Sequence, residues 1–158
     1  MDLRYRTRIY SYNLSLVREP SSKGLPAIKL KRTPDTLLAI NHFLSASTDR
    51  ENFGVLWLNT RNVIIGHELS SVGILNGTYV HPREIFAGAI LAKAAAIIAF
   101  HNHPSGDTEP SQDDLSVTNR LRDAGRILGI ELLDHVIVAT DTGETFNRYT
   151  SMKDRGIL

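Results

Sequence analysis

The residues that most constrain this chain are 96–104, Ala-Ile-Ile-Ala-Phe-His-Asn-His-Pro. A short, wholly apolar run from Ala96 to Phe100 predicts a strand buried on both faces. Pro104 ends the extended segment, because proline cannot donate to a sheet ladder. Residues two apart on a strand share a face, so His101 and His103 project together and Asn102 points the other way. A buried strand that ends in two imidazoles needs cover on both sides, and the rest of the chain supplies it.

Thr33-Pro34-Asp35 predicts a helix start, with Thr33 as N-cap and Pro34 at the first helical position. Its buried stripe is drawn from Leu37, Ile40, Phe43 and Leu44, and it ends near residues 45–48. His42 lies within it as a surface or partly buried residue rather than a ligand. Phe53 to Asn59 is apolar on both faces and predicts a central strand. Thr60-Arg61-Asn62 turns it back into a second strand running from Val63 to Gly73, and Asn76-Gly77 signals another turn.

A second helix starts at Val80-His81-Pro82-Arg83-Glu84, with His81 at the N-cap and Ile85, Phe86, Ala89, Ile90 and Ala92 on its apolar side. A third runs from about Ser111 to Leu128, with Val117, Leu121, Ala124 and Leu128 inward and Gly129 as its stop. Glu131 to Ala139 is a further strand, and Asp141-Thr142-Gly143 turns into a last one over Glu144–Tyr149. Ahead of all this, Arg4 to Val17 alternates as a strand would, with Tyr10, Tyr12, Leu14 and Leu16 on one face. Residues 19–24 read as a loop and 25–32 as a link. The order of elements predicts an α/β fold, an α/β/α sandwich with a mixed central sheet.

The chain has 158 residues, enough for one domain with a real core, and no cysteine. Disulfides and thiolate metal sites are therefore excluded, and any metal must sit on His and carboxylate. No run approaches a membrane span and the start lacks the apolar core of a signal peptide, so a cytoplasmic protein without membrane contact is expected. Charge is uneven: residues 1–32 carry a balance of +6 and the remainder −5. Such a basic arm reads either as a solvated edge strand and linker or as a weak DNA contact.

Two imidazoles and one carboxylate are the ligand set of an open catalytic zinc site, with the fourth position left for water. Asp114 is the leading carboxylate. Alone, Ser111-x-x-Asp114 reads as a capping box. The His pair before it, and the helix face it shares with Val117 and Leu121, favour a ligand, because a carboxylate buried without a cation is costly. Asp113 reads as solvated, and Asp107 and Glu109 are weaker candidates. A nucleobase deaminase also uses zinc and a Glu, but its signature needs Cys-x-x-Cys. A structural zinc site needs a fourth protein ligand, which the motif lacks. A non-catalytic binding module of the same fold stays open.

The full pattern, His101-x-His103-Pro104-x(6)-Ser111-x-x-Asp114, resembles the JAMM (MPN+) motif of the JAB/MPN metallopeptidase family. Gly77-Thr78, Val80 to Phe86 and His101 to Gly106 resemble more narrowly the bacterial RadC family. The resemblance divides the chain into a basic N-terminal strand and linker, 1–32, and a RadC-like JAB/MPN+ domain, 33–158. It implies a three-layer, cytidine-deaminase-like sandwich and one zinc ion per chain on His101, His103 and Asp114. It further implies that Glu51 activates the water and that Ser111 hydrogen-bonds the developing oxyanion. By its residues alone Glu51 is a solvated strand-edge charge, with Glu68 and Glu84 as rivals.

The activity implied is hydrolysis of a peptide, isopeptide or related amide bond in a protein, peptide or amide substrate. The alternatives are a DNA-repair role, which the family's name carries, and an MPN-type binding module. Longer family members place a helix-hairpin-helix segment ahead of the JAB domain, where this sequence shows only the basic arm. A DNA contact through that arm predicts affinity that falls steeply with salt and with Arg4, Arg6 and Arg8 changed to Ala. Absence of a gel shift at every salt concentration removes it.

Overall fold

A computed structural model describes residues 28–44, 50–72 and 80–158. The strand predicted over 4–17, the loop at 19–24 and the Asn76-Gly77 turn lie outside the described residues. Among these residues three helices and five strands follow in the order α1 (Thr33–Phe43), β1 (Asn52–Leu58), β2 (Ile64–Val72), α2 (Pro82–Leu91), β3 (Ala96–Asn102), α3 (Gln112–Leu128), β4 (Glu131–Ala139) and β5 (Arg148–Ser151). The strands form one sheet in the order β2-β1-β3-β4-β5. Only β3 and β4 run parallel, joined across α3, and every other neighbouring pair is antiparallel.

Every residue of β1 and of β3 is buried, as two-faced apolar strands require. Phe53, Val55 and Trp57 of β1, with Ile97 and Ala99 of β3, pack under Ile85, Phe86 and Ala89 of α2 and Val117 and Leu121 of α3. The alternate residues Leu56, Leu58, Ile98 and Phe100 face Ala39 and Ile40 of α1 and Leu44 beyond it. The result is the three-layer α/β/α sandwich with a mixed sheet. Among the described residues, no helix is long and apolar enough to cross a membrane.

Several local expectations change. Arg32, not Thr33, holds the cap position of α1, where Asp35 Oδ2 accepts from the backbone N–H groups of Lys31 and Arg32 at 2.9 and 3.1 Å. The Thr33 hydroxyl instead donates to Asp154 Oδ2 at 2.9 Å. The inward stripe of α1 is Thr36, Ala39 and Ile40, with Leu37 and Phe43 only half-buried. Ile90 of α2 is 52% exposed, and Leu128 of α3 is 46% exposed.

The last strand begins at Arg148 rather than Glu144. Its delay has a cause far away in sequence. The N–H of Phe146 donates to Asn41 Oδ1 at 2.7 Å, and its carbonyl accepts from Asn41 Nδ2 at 2.9 Å. With both backbone groups taken by α1, Phe146 cannot join the ladder.

At the last turns of α3, Gly125 takes the inward position that follows Val117 and Leu121. A Cβ there would lie 2.5 Å from the Ile130 carbonyl oxygen, a backbone atom that cannot swing aside. Gly129 then ends the helix at φ 69°, in the left-handed region. Gly125→Ala gains about 1 kcal/mol of helix propensity. The clash outweighs it, since overpacking costs about 1–3 kcal/mol. The variant should show a lower urea midpoint with an unchanged slope.

Candidate metal centre

The pairing of β1 with β3 sets Phe53 opposite His101. Glu51, just before β1, is thereby carried to the end of β3 where His103 follows Asn102. The amide of Asn102 reinforces this from the opposite face. Its Oδ1 accepts from the Asn52 N–H at 2.8 Å, and its Nδ2 donates to the Arg50 carbonyl at 3.0 Å. The backbone on both sides of Glu51 is thus tied to the residue between the two histidines.

Asp114 arrives on the first turn of α3. The two roles weighed for it coexist. Its Oδ2 accepts from the Ser111 N–H at 2.7 Å and from the Ser111 hydroxyl at 2.6 Å, while Ser111 Oγ accepts from the Asp114 N–H at 3.1 Å. That is the capping box. Its Oδ1 meanwhile lies 3.1 Å from His101 Nε2.

Glu51, His101, His103 and Asp114 each bring one donor atom, and the four lie within 4.8 Å of one another. The two Nε2 atoms are 3.0 Å apart. Glu51 Oε1 is 3.7 Å from His103 Nε2 and 3.9 Å from His101 Nε2. His101 and Asp114 are buried, whereas the side chains of His103 and Glu51 keep 16% and 19% of their exposure. Solvent therefore reaches the cluster along its His103–Glu51 edge.

His103 Nδ1 lies 2.7 Å from the Asp107 carbonyl oxygen, which can only accept. A neutral His103 therefore carries its proton on Nδ1 and presents a lone pair at Nε2. The loop supplying that carbonyl is itself pinned. Arg148 donates to the Gly106 carbonyl at 2.8 Å, the Thr150 hydroxyl bonds that of Thr108 at 3.0 Å, and Arg155 pairs with Glu109 at 2.6 Å.

Burial pushes the Asp114 carboxyl up. The neighbouring His101 and His103 rings and the hydrogen bonds from Ser111 more than offset this and leave it well below the usual carboxylate range. His103 is held above its ordinary value, first by the Asp114 carboxylate 3.6 Å from its Nε2, against the opposing effect of burial. Lone pairs of two imidazoles and two carboxylates converging at 3–4 Å repel unless a cation sits among them. A divalent metal ion fits this all-nitrogen and oxygen donor set.

The remaining candidates lie elsewhere. Asp113 is exposed, and Glu109 is occupied by Arg155. Glu84 pairs with Arg83 at 2.9 Å. Glu68 sits between β2 and α2 against Gly88, its Oε2 buried without a hydrogen-bond partner among the described residues, and burial pushes its carboxyl up. His81 caps α2 through Nδ1, and His67 stacks on Phe43 at 3.8 Å. His135 Nε2 stands 2.8 Å behind His101 Nδ1, and burial drives its pKa well below the usual imidazole value. Thr118, which the sequence reading missed, bonds His135 Nδ1 at 2.7 Å. Its spacing, one turn after Asp114 on the same helix face, is the signal that could have found it.

The protein is expected to bind about one divalent metal ion per chain, since three to four protein donors suffice for such a site. Elemental analysis after gel filtration should find it in the parent and in Glu51→Gln, and lose it in His101→Ala.

A family model described as a RadC-like JAB domain matches residues 31–157. The chain is 54% identical over 110 residues to a UPF0758 protein of Desulfitobacterium hafniense, covering 70% of this chain and 46% of that one. A UPF0758 protein of Rubrobacter xylanophilus is 48% identical over 145 residues, covering 92% of this chain and 58% of the relative. One from Methanosarcina acetivorans is 40% identical over 126 residues, covering 80% and 52%. The chain spans about half the length of the curated relatives it matches.

Proposed function

This chain belongs to the RadC-like JAB domain family, and from that premise we propose that it is a zinc-dependent hydrolase of a peptide, isopeptide or related amide bond. The observation that carries the reading is the division of the cluster. His101 and Asp114 close it from the buried side, and Glu51 stands at its solvent edge beside His103. A purely structural site would have no reason to keep a carboxylate at the open edge.

In this reading His101, His103 and Asp114 hold zinc, one ion per chain. Zinc, when bound, brings the pKa of a coordinated water towards neutrality and polarises the substrate carbonyl. Glu51 Oε1 accepts the water proton as the oxygen attacks the carbonyl carbon, then delivers it to the amide nitrogen as the C–N bond breaks. Asn102 keeps Glu51 in place through the backbone on both sides.

Ser111 would hydrogen-bond the developing oxyanion. Its hydroxyl has one proton, given to Asp114 Oδ2 at 2.6 Å. To serve the oxyanion it must turn away, and the Ser111 N–H at 2.7 Å is what then keeps the carboxylate in place. The hydroxyl thus moves between two acceptors without releasing Asp114.

Glu51→Gln should lower kcat on an amide substrate by about 10²–10⁴-fold, the usual span for a general base, while metal content stays unchanged. An unimpaired Glu51→Gln enzyme would assign the base elsewhere. Zinc-loaded parent protein that cleaves no member of a peptide, isopeptide and small-amide panel would favour the binding module.

A further inference from the structure

Behind His101 a line of buried polar groups continues that the hydrolytic steps do not use. His135 on β4 is fully buried, as is Thr118 on α3. His101 Nδ1 lies 2.8 Å from His135 Nε2, His135 Nδ1 lies 2.7 Å from Thr118 Oγ1, and Thr118 Oγ1 donates to the Asp114 carbonyl at 2.6 Å.

The far end of this line fixes the direction of every bond in it. A backbone carbonyl only accepts, so the single Thr118 hydroxyl proton is committed to Asp114. The Thr118 oxygen must then accept from His135, which places the His135 proton on Nδ1. A neutral His135 has no second proton, so its Nε2 must accept from His101 Nδ1. His101 is left with a bare Nε2, the atom that lies 3.1 Å from Asp114 Oδ1. Reversing any one bond within the line would leave two acceptors or two donors face to face inside the core, where an unsatisfied polar group costs about 1–3 kcal/mol. The lone pair left over is that of His101 Nε2 before Asp114 Oδ1, where a cation would sit.

We propose that His135 and Thr118 are positioning residues that lock His101 in its Nδ1–H tautomer. The metal-binding lone pair is thereby aimed before any ion arrives. The inference rests on the reading of His101 as a ligand. The line closes on itself, because it starts at one ligand and ends on the backbone of another. His103 has its own lock in the Asp107 carbonyl. His101, deeper in the core and without a carbonyl at Nδ1, borrows the Asp114 carbonyl through two side chains.

The test reads the tautomer directly in metal-free protein at alkaline pH, by long-range ¹H–¹⁵N correlation of ring-labelled histidines. His101 and His135 should both appear as Nδ1–H forms. Thr118→Val keeps the shape and removes the hydroxyl. It should give mixed tautomers at both rings and weaken zinc binding by about 10- to 100-fold, as loss of a supporting hydrogen bond around a metal ligand does. Thr118→Ser should restore both readouts.

An Nε2–H tautomer at His101 in the parent protein overturns the inference, and that spectrum needs no variant to fold. So does Thr118→Val with parental tautomers and affinity. Correct tautomers in a parent protein that takes up no metal would leave the lock standing and overturn the ligand reading instead.

Discussion

The pairing of β1 with β3 is the constraint on which the rest depends. Because Phe53 stands opposite His101, Glu51 arrives beside the end of β3, fifty residues away in sequence. A slip of one residue would exchange the two buried faces of β1 and set a side chain where Gly54 makes room for Phe100, which a strand buried throughout cannot tolerate. The same packing that makes the core therefore fixes the distance between a carboxylate and two imidazoles. Asn102 adds a local tie, because its amide holds the Arg50 carbonyl and the Asn52 N–H together.

Electrostatics then determine how such a cluster can survive inside the sandwich. A buried carboxylate without partners is among the costliest groups a fold can hold. Asp114 avoids that cost by dividing its oxygens, one serving the start of α3 and the other facing His101. Around it, each outward ring nitrogen has a defined partner, a carbonyl for His103 and a second imidazole for His101. At the solvent edge of the centre, His103 and Glu51 keep part of their exposure.

Much of this was legible in the sequence where the signal is local. β4 spans Glu131–Ala139 as its apolar pattern implies, and Ser111 and Gly129 bracket α3 as cap chemistry requires. The His pair, the helix face of Asp114 and the family resemblance pointed to His101, His103 and Asp114 together, and the fold brings them within reach of one another. What was not legible depends on contacts distant along the chain. Phe146 leaves the ladder because Asn41 holds it, and Thr33 forgoes its capping role because Asp154 offers another acceptor. Leu128 loses its inward place because Gly125 brings the helix backbone against Ile130. Glu51 belongs here too. Nothing next to it marks it, and only family resemblance or the strand register gives it meaning.

The double duty of Asp114 bears on how a sandwich of this kind can change over time. A lineage released from any need for a metal could shed His103 at modest cost, since that ring lies partly at the surface. Asp114 is different. Replacing it would strip the first turn of α3 of the partner for Ser111, a loss of about 1 kcal/mol that has nothing to do with chemistry. Relics of an abandoned centre would accordingly keep the aspartate after His103 had gone. A retired active site in this architecture would be recognised by a carboxylate that outlived its purpose.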